Sequence, residues 1–178
     1  MQRVSVVGVS GSGKSTFATA LAERLAVPHL ELDSVYHQAE WTHLEPDEFQ
    51  AAIAPTLAEP AWVIDGNYSE VQPLVWERAD TVIWLDLDRP IVMRRVVGRT
   101  WRRVLSRQEL WNGNREPIGN LFALNPEESI IRWAWTKHGP TRTKYAAAMA
   151  DEANADLTFH RLRSPAAVDA FLDRVPLT

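Results

Sequence analysis

Residues Gly8-Val9-Ser10-Gly11-Ser12-Gly13-Lys14-Ser15 spell a complete G-x4-G-K-[ST] loop, and that pattern admits few folds. It works where a strand delivers the chain to the loop and a helix carries it away, so that backbone N–H groups and the helix dipole converge on one anion. Both flanks meet the requirement. Val4-Ser5-Val6-Val7 is a short β-branched stretch ahead of the loop, and Phe17, Leu21 and Leu25 follow at helical spacing on an Ala-rich segment. The glycines let the backbone wrap phosphate with no Cβ in the way, Lys14 reaches toward the β- and γ-phosphates, and the Ser15 hydroxyl suits Mg²⁺. Ser10, Ser12 and Thr16 complete the expected ATP-binding set with Gly8, Gly11, Gly13, Lys14 and Ser15. Lys14 is also the only lysine before Lys137. A Gly/Ser turn opening an ordinary helix is the plain alternative, and the full motif in this setting argues for a nucleoside triphosphate.

Strands and helices alternate along the rest of the chain. Pro28 precedes His29-Leu30-Glu31-Leu32, read as a strand ending at Asp33. A helix is expected from Pro46 to Leu57, with Phe49, Ile53 and Leu57 on one face. Trp62-Val63-Ile64 reads as a strand ending at Asp65-Gly66-Asn67, and Thr81 to Leu85 as another ending at Asp86. Asp88 and Pro90 mark a helix start, continued by Ile91 to Val97. The polar, Arg-rich stretch from about Thr100 to Pro126 reads as an insertion. Helix is expected again near Ser129 to His138, cut by Gly139-Pro140, and from Tyr145 to Ala153. Leu157 to Leu162 alternates as a fifth strand, and Ser164-Pro165 starts a last helix carrying Val168, Phe171, Leu172 and Val175. Such alternation implies a parallel α/β sheet, whose ligands gather at the carboxyl ends of the strands. Gly8, Asp33, Asp65 and Asp86 fall there.

With 178 residues the expectation is a single domain, and no repeat or linker divides it. The net charge of -4 argues against general nucleic-acid binding, and the absence of cysteine excludes disulfides and thiolate metal sites. Met1 leads into the first strand without a signal-like segment, and no apolar run approaches membrane-spanning length, so a cytoplasmic protein with no membrane partner is expected. The 16 arginines against three lysines leave a genome-level bias open as the source of any one Arg.

Asp65 stands where a carboxylate can hold the metal through water, or where Asp65-Gly66-Asn67 is simply a turn. Asp33 could bind an acceptor hydroxyl and take its proton, or cap the next segment. Tyr36 and Trp41 follow it, Trp41 suited either to stacking on a flat substrate or to covering the core edge, and His37 reads as a surface histidine. Arg94, Arg95, Arg99, Arg102, Arg103, Arg107 and Arg115 crowd a stretch whose single acid is Glu109. Arginine forks stabilise the charge of phosphoryl transfer, which suggests a lid over the triphosphate. A solvated helix face, or a nucleic-acid patch with Trp101 and Trp111 as stacking platforms, would give the same pattern. The run Trp111-Asn112-Gly113-Asn114-Arg115-Glu116 suits a tight turn with a Trp anchor, with no chemistry that demands it.

The loop at Gly8–Ser15, the Asp65-Gly66 pair and Arg95-Val96-Val97-Gly98-Arg99 together resemble the adenylate kinase-like branch of the P-loop kinases. Leu32-Asp33, Asp65-Gly66-Asn67-Tyr68, Trp84-Leu85-Asp86 and Leu110 to Glu116 are similar to bacterial proteins labelled "topology modulation protein". The resemblance implies a three-layer fold with a five-stranded parallel sheet in the order 2-3-1-4-5, one domain over residues 1–178 and a lid at about 100–128. It further implies that Arg95 and Arg99 contact ATP, that the loop near Ser164 to Ala167 lies beside adenine, and that Arg132 or Arg142 adds a further cation. Nucleoside monophosphate kinases of this branch place arginines just after the second strand and after Asp-Gly. Asp33-Ser34-Val35-Tyr36 and Asp65-Gly66-Asn67-Tyr68-Ser69 have none, although Arg78 stands further on as a substitute.

These residues predict a Mg²⁺- and ATP-dependent phosphotransferase. Lys14, Arg95, Arg99 and Asp33 are its catalytic candidates, and Ser15 and Asp65 its metal ligands. Asp33, Tyr36, Trp41, Asp65, Asn67 and Arg78 are the candidates around a small acceptor that offers a hydroxyl. A nucleoside monophosphate kinase, and an ATP-switched regulator of a protein or nucleic acid, are the rival expectations.

Overall fold

β1 (Arg3–Val7), β3 (Trp62–Asp65) and β4 (Thr81–Leu85) are almost wholly buried along their length. Unbroken apolar runs of this kind form when both faces of a parallel sheet are covered. With β2 (His29–Glu31) and β5 (Thr158–Leu162) they make one five-stranded parallel sheet in the order β2-β3-β1-β4-β5. β1 lies at the centre, in register with β3 (Val6 beside Asp65) and β4 (Val7 beside Trp84). The computed structural model describes residues 1–106, 109–114 and 129–176.

Helices cover both faces. On one, α1 (Lys14–Leu25) packs Phe17, Ala18 and Leu21 on Val4, Val6, Val63 and Ile83, joined by Val168, Phe171 and Leu172 of α7 (Pro165–Arg174). On the other, Phe49, Ile53 and Leu57 of α3 (Pro46–Ala58) and Val75 of α4 (Gln72–Arg78) bury Trp62 and Ile64. There too Tyr145 of α6 (Ile130–Ala150) closes on Val7, Val82 and Trp84. α5 (Arg89–Ser106) packs Val92 and Val96 against Val9 and Ala134. The three-layer α/β architecture and its strand order are as expected.

Ser164 caps α7, accepting a hydrogen bond from Ala167 N at 3.1 Å. Ser164→Ala is expected to lower unfolding stability by about 1 kcal/mol, read as a fall in the urea midpoint at unchanged m-value.

Three local readings need correction. β2 stops at Glu31, and Leu32–Tyr36 forms a one-turn helix, α2, so Asp33 sits inside that turn rather than at the strand end. Leu32, 3% exposed, turns into the core beside Phe49 and Ile64, and Ser34 Oγ donates to Glu31 O at 2.7 Å, which together wind the chain early. α6 runs unbroken through Gly139-Pro140. An interior proline costs roughly 3 kcal/mol, and here Ala134, His138 and Tyr145 are all buried on either side of it, with the His138 ring bonded to Leu87 O at 2.9 Å. α5 continues to Ser106, so the first part of the expected insertion is helix. Residues 107–108 and 115–128 of that insertion, Arg107 and Arg115 among them, lie outside the described residues. The short α4 had no counterpart in the sequence reading.

Candidate phosphate and acceptor site

The loop after β1 turns through left-handed backbone at Gly11 (φ 83°) and Gly13 (φ 95°), the latter capping the N-terminus of α1. Its mouth is braced from β3: Asn67 Nδ2 donates to Gly8 O at 2.6 Å, and Asn67 Oδ1 accepts from Gly8 N at 3.1 Å and from Tyr145 OH at 3.0 Å. Asn67, expected beside the acceptor, is thus occupied by the phosphate loop. From α5, Arg95 Nη1 donates to Ser12 O at 2.8 Å and Arg99 Nη2 to Ser10 Oγ at 3.2 Å. Both arginines therefore stand on the loop itself. Among the described residues the buried Ser12 hydroxyl has no hydrogen-bond partner, and Thr16 is exposed on the first turn of α1. Among the described residues no acceptor holds the Lys14 ammonium. A cradle with an orphaned buried hydroxyl and an available cation fits a polyphosphate.

Beside it stands an acidic pair. Ser15 Oγ lies 2.7 Å from Glu31 Oε1 and 2.9 Å from Asp65 Oδ2. A hydroxyl carries one proton, so only one of these contacts is a full hydrogen bond and the other brings two oxygens together unbridged. Oxygen donors gathered in that way fit a hard divalent cation such as Mg²⁺. The far oxygens are held too: His29 Nε2 sits 2.8 Å from Asp65 Oδ1, and Trp111 Nε1 donates to Glu31 Oε2 at 2.9 Å. Glu31, His29 and Trp111 are the members that sequence reading missed. The signal for Glu31 was a strand that stops one residue sooner than its hydrophobic pattern suggests.

Asp33 faces Tyr68, whose OH donates to Asp33 Oδ1 at 2.6 Å and lies 3.4 Å from His37 Nε2. Burial, followed by the Asp33 charge and this hydrogen bond, drives the Tyr68 pKa far above the usual phenol value. Tyr68 therefore stays a donor at any physiological pH. Burial also holds His37 below the ordinary histidine pKa, against the pull of Asp33, so the ring favours its neutral form. Tyr36 stacks on His43 at 4.7 Å and packs on Tyr68 at 4.5 Å, and Trp41 meets His37 edge-on at 5.4 Å.

One expected cation stands elsewhere. Arg78 ends α4 just ahead of β4, at the sheet edge opposite the phosphate loop, so the topology keeps it from the acceptor side. Arg142 binds Asp86, Nε to Oδ1 at 3.0 Å, a carboxylate that also takes Arg161 Nη2 at 2.6 Å. Arg132 is exposed on the first turn of α6. Ser164–Ala167, expected as a loop, is the cap and first turn of α7 and follows β5 at the phosphate-loop edge.

The fold recurs in other proteins. The shikimate kinase from Bacteroides thetaiotaomicron superposes with a TM-score of 0.53 at 15% identity, covering 97% of this chain and 95% of that one. A gluconokinase from Sinorhizobium meliloti 1021 gives 0.52 at 19% identity, covering 98% and 93%. At such identities the likeness is one of fold, that of P-loop kinases. Nothing among curated proteins matches the sequence. No helix among the described residues is long and apolar enough to cross a membrane. A family model described as an AAA domain matches residues 4–110, from β1 through the phosphate loop, the acidic pair and α5. With more than half of its length inside that match, the chain belongs to the AAA domain family.

Proposed function

We propose that the protein is an ATP-dependent phosphotransferase that phosphorylates a hydroxyl of a small acceptor carrying no phosphate. One observation carries the reading: the glycine-rich loop and the Ser15–Glu31–Asp65 oxygen cluster gather at the carboxyl ends of the strands, and Asp33, two residues past Glu31, is an acid with no cation hydrogen-bonded or ion-paired to it among the described residues. The names of the two fold relatives, both kinases, support transfer over simple hydrolysis. Residues 1–178 form one kinase domain in this reading, with an Arg-bearing insertion opening near residue 100.

The loop amides and Lys14 bind the β- and γ-phosphates of ATP, and Arg95 and Arg99 lie against the same loop to offset charge on the group in transfer. Ser15 Oγ, Glu31 and Asp65, directly or through water, would hold Mg²⁺, which when bound offsets polyphosphate charge. Asp33 orients the acceptor hydroxyl and takes its proton while that oxygen bonds to the γ-phosphorus and the bond to the β-phosphate oxygen breaks, so ADP departs. Tyr68 keeps Asp33 aimed. An acceptor phosphate would meet the Asp33 and Glu31 charges with no described arginine to offset them. That disfavours a nucleoside monophosphate.

ADP release measured over a panel of nucleosides, sugars, polyols and nucleoside monophosphates tests this. The expected result is saturable turnover with an uncharged hydroxyl compound and none with AMP or CMP. Turnover confined to monophosphates would replace the reading with a nucleotide kinase. Tight ATP binding with no stimulated turnover would favour an ATP-switched regulator.

A further inference from the structure

Residues 110–114 form a turn tied to itself, Leu110 N donating to Asn114 O at 2.7 Å, with left-handed backbone at Asn112 and Gly113. Its polar side chains reach across to residues 31–41. Asn112 Nδ2 donates to His37 O at 2.6 Å, Asn114 Nδ2 to Gln38 O at 2.8 Å, and Asn114 Oδ1 accepts from Trp41 N at 2.9 Å. The facing loop holds two consecutive non-glycine residues in the left-handed region, Glu40 (φ 57°) and Trp41 (φ 55°). Such backbone costs roughly 1–2 kcal/mol per residue and persists only where neighbours fix it. Asn114, 4% exposed, supplies that brace.

Trp111 makes the most informative contact. Its ring stacks on His37 at 5.7 Å and 21°, and its Nε1 donates to Glu31 Oε2. The other oxygen of that carboxylate is the one beside Ser15 Oγ. One side chain therefore joins His37, which lies beside Tyr68 and Asp33, to the oxygen cluster beside the phosphate loop. The turn uses its amide groups on backbone and residues 110–114 carry no basic side chain, so the turn presents neutral and aromatic surface beside His37.

We infer that the turn Leu110–Asn114 is the acceptor-specificity wall, selecting an uncharged hydroxyl compound, and that Trp111 is a positioning residue that sets Glu31 for the divalent cation. The inference rests on the proposed phosphotransfer and adds a coupling to it. Acceptor-side packing and cation affinity share one carboxylate, so disturbing the turn weakens the cation site without touching Ser15 or Asp65.

Trp111→Phe keeps the ring on His37 and deletes the N–H. Mn²⁺ titration of the protein–ATP complex, followed by electron paramagnetic resonance, is expected to show affinity lowered about 10- to 100-fold, with metal-free ATP affinity unchanged. Glu31→Gln should show a similar loss, and Trp111→Phe in the Glu31→Gln background should add nothing. Additive losses, or Mn²⁺ affinity in a folded Trp111→Phe within twofold of the parent, overturn the inference. If Trp111→Phe does not fold, Glu31→Gln with near-parental Mn²⁺ affinity does the same. Failure of the parent protein to bind ATP at all would strike the proposed function instead.

Discussion

Gly11→Ala is expected to destabilise the fold by about 2–5 kcal/mol and to remove measurable nucleotide affinity. The sum has two sources. A side chain at φ 83° carries a left-handed penalty of roughly 1–2 kcal/mol, and overpacking a filled core costs about 1–3 kcal/mol more. The new Cβ would run into Val96 Cγ2 and stand 3.1 Å from Val92 O. Val92 and Val96 are fully buried with Leu87 and Ala134, so α5 cannot yield without opening that cluster. The alternative is for the loop to move, which turns its N–H groups away from their common focus. Arg95 and Arg99, which bond to Ser12 and Ser10, would lose their register as well. Gly98→Ala is the control: it lies in α5, no atom of the described residues stands within 4 Å of the Cβ it would gain, and helix propensity predicts a gain of up to about 1 kcal/mol. Urea unfolding and ATP calorimetry on the pair check both halves. If Gly11→Ala matches Gly98→Ala, the loop is not wedged by α5 as described.

The parts of the site that the sequence revealed are those whose signal is local. The phosphate loop is spelled in consecutive residues, and the strand–loop–helix context on both sides of it is local too. The Ser164 cap is likewise a matter of adjacent residues. What stayed hidden depends on pairing across the chain. Glu31 and Asp33 both look like acids at the end of β2, a half-exposed edge strand whose weak burial pattern fixes its end poorly. A one-turn helix decides between them, giving Glu31 to Ser15 and Asp33 to Tyr68. Asn67 looks like a turn residue or a substrate contact, yet its partner is the backbone of Gly8, 59 positions away. Arg78 looked available to an acceptor until α4, too short to carry a clear period, set it at the opposite sheet edge. The Trp111 turn offered no chemistry in sequence because each of its partners lies 73 to 80 residues upstream.

Asp33→Asn is expected to lower the phosphotransfer rate by about 10²–10⁴-fold, with MgATP affinity unchanged. The substitution is nearly isosteric, and an amide oxygen still accepts from Tyr68 OH, so the packing of Tyr68 against Tyr36 and Phe49 persists. Only the ability to take a proton is lost. Tyr68 cannot stand in, since burial and the neighbouring carboxylate push its pKa far upward and leave it protonated. His37, neutral by burial, has its Nε2 3.4 Å from Tyr68 OH; it meets Asp33 through its backbone N–H, which donates to Asp33 O at 3.1 Å, and among the described residues its ring makes no hydrogen bond to the Asp33 carboxylate. Ser15, Glu31 and Asp65 are untouched by the change, which is why nucleotide and metal binding should hold. Turnover and ATP affinity measured together separate the outcomes. A rate within threefold of the parent removes Asp33 as the base. A fall in ATP affinity matching the fall in rate would instead place the residue among those that bind nucleotide.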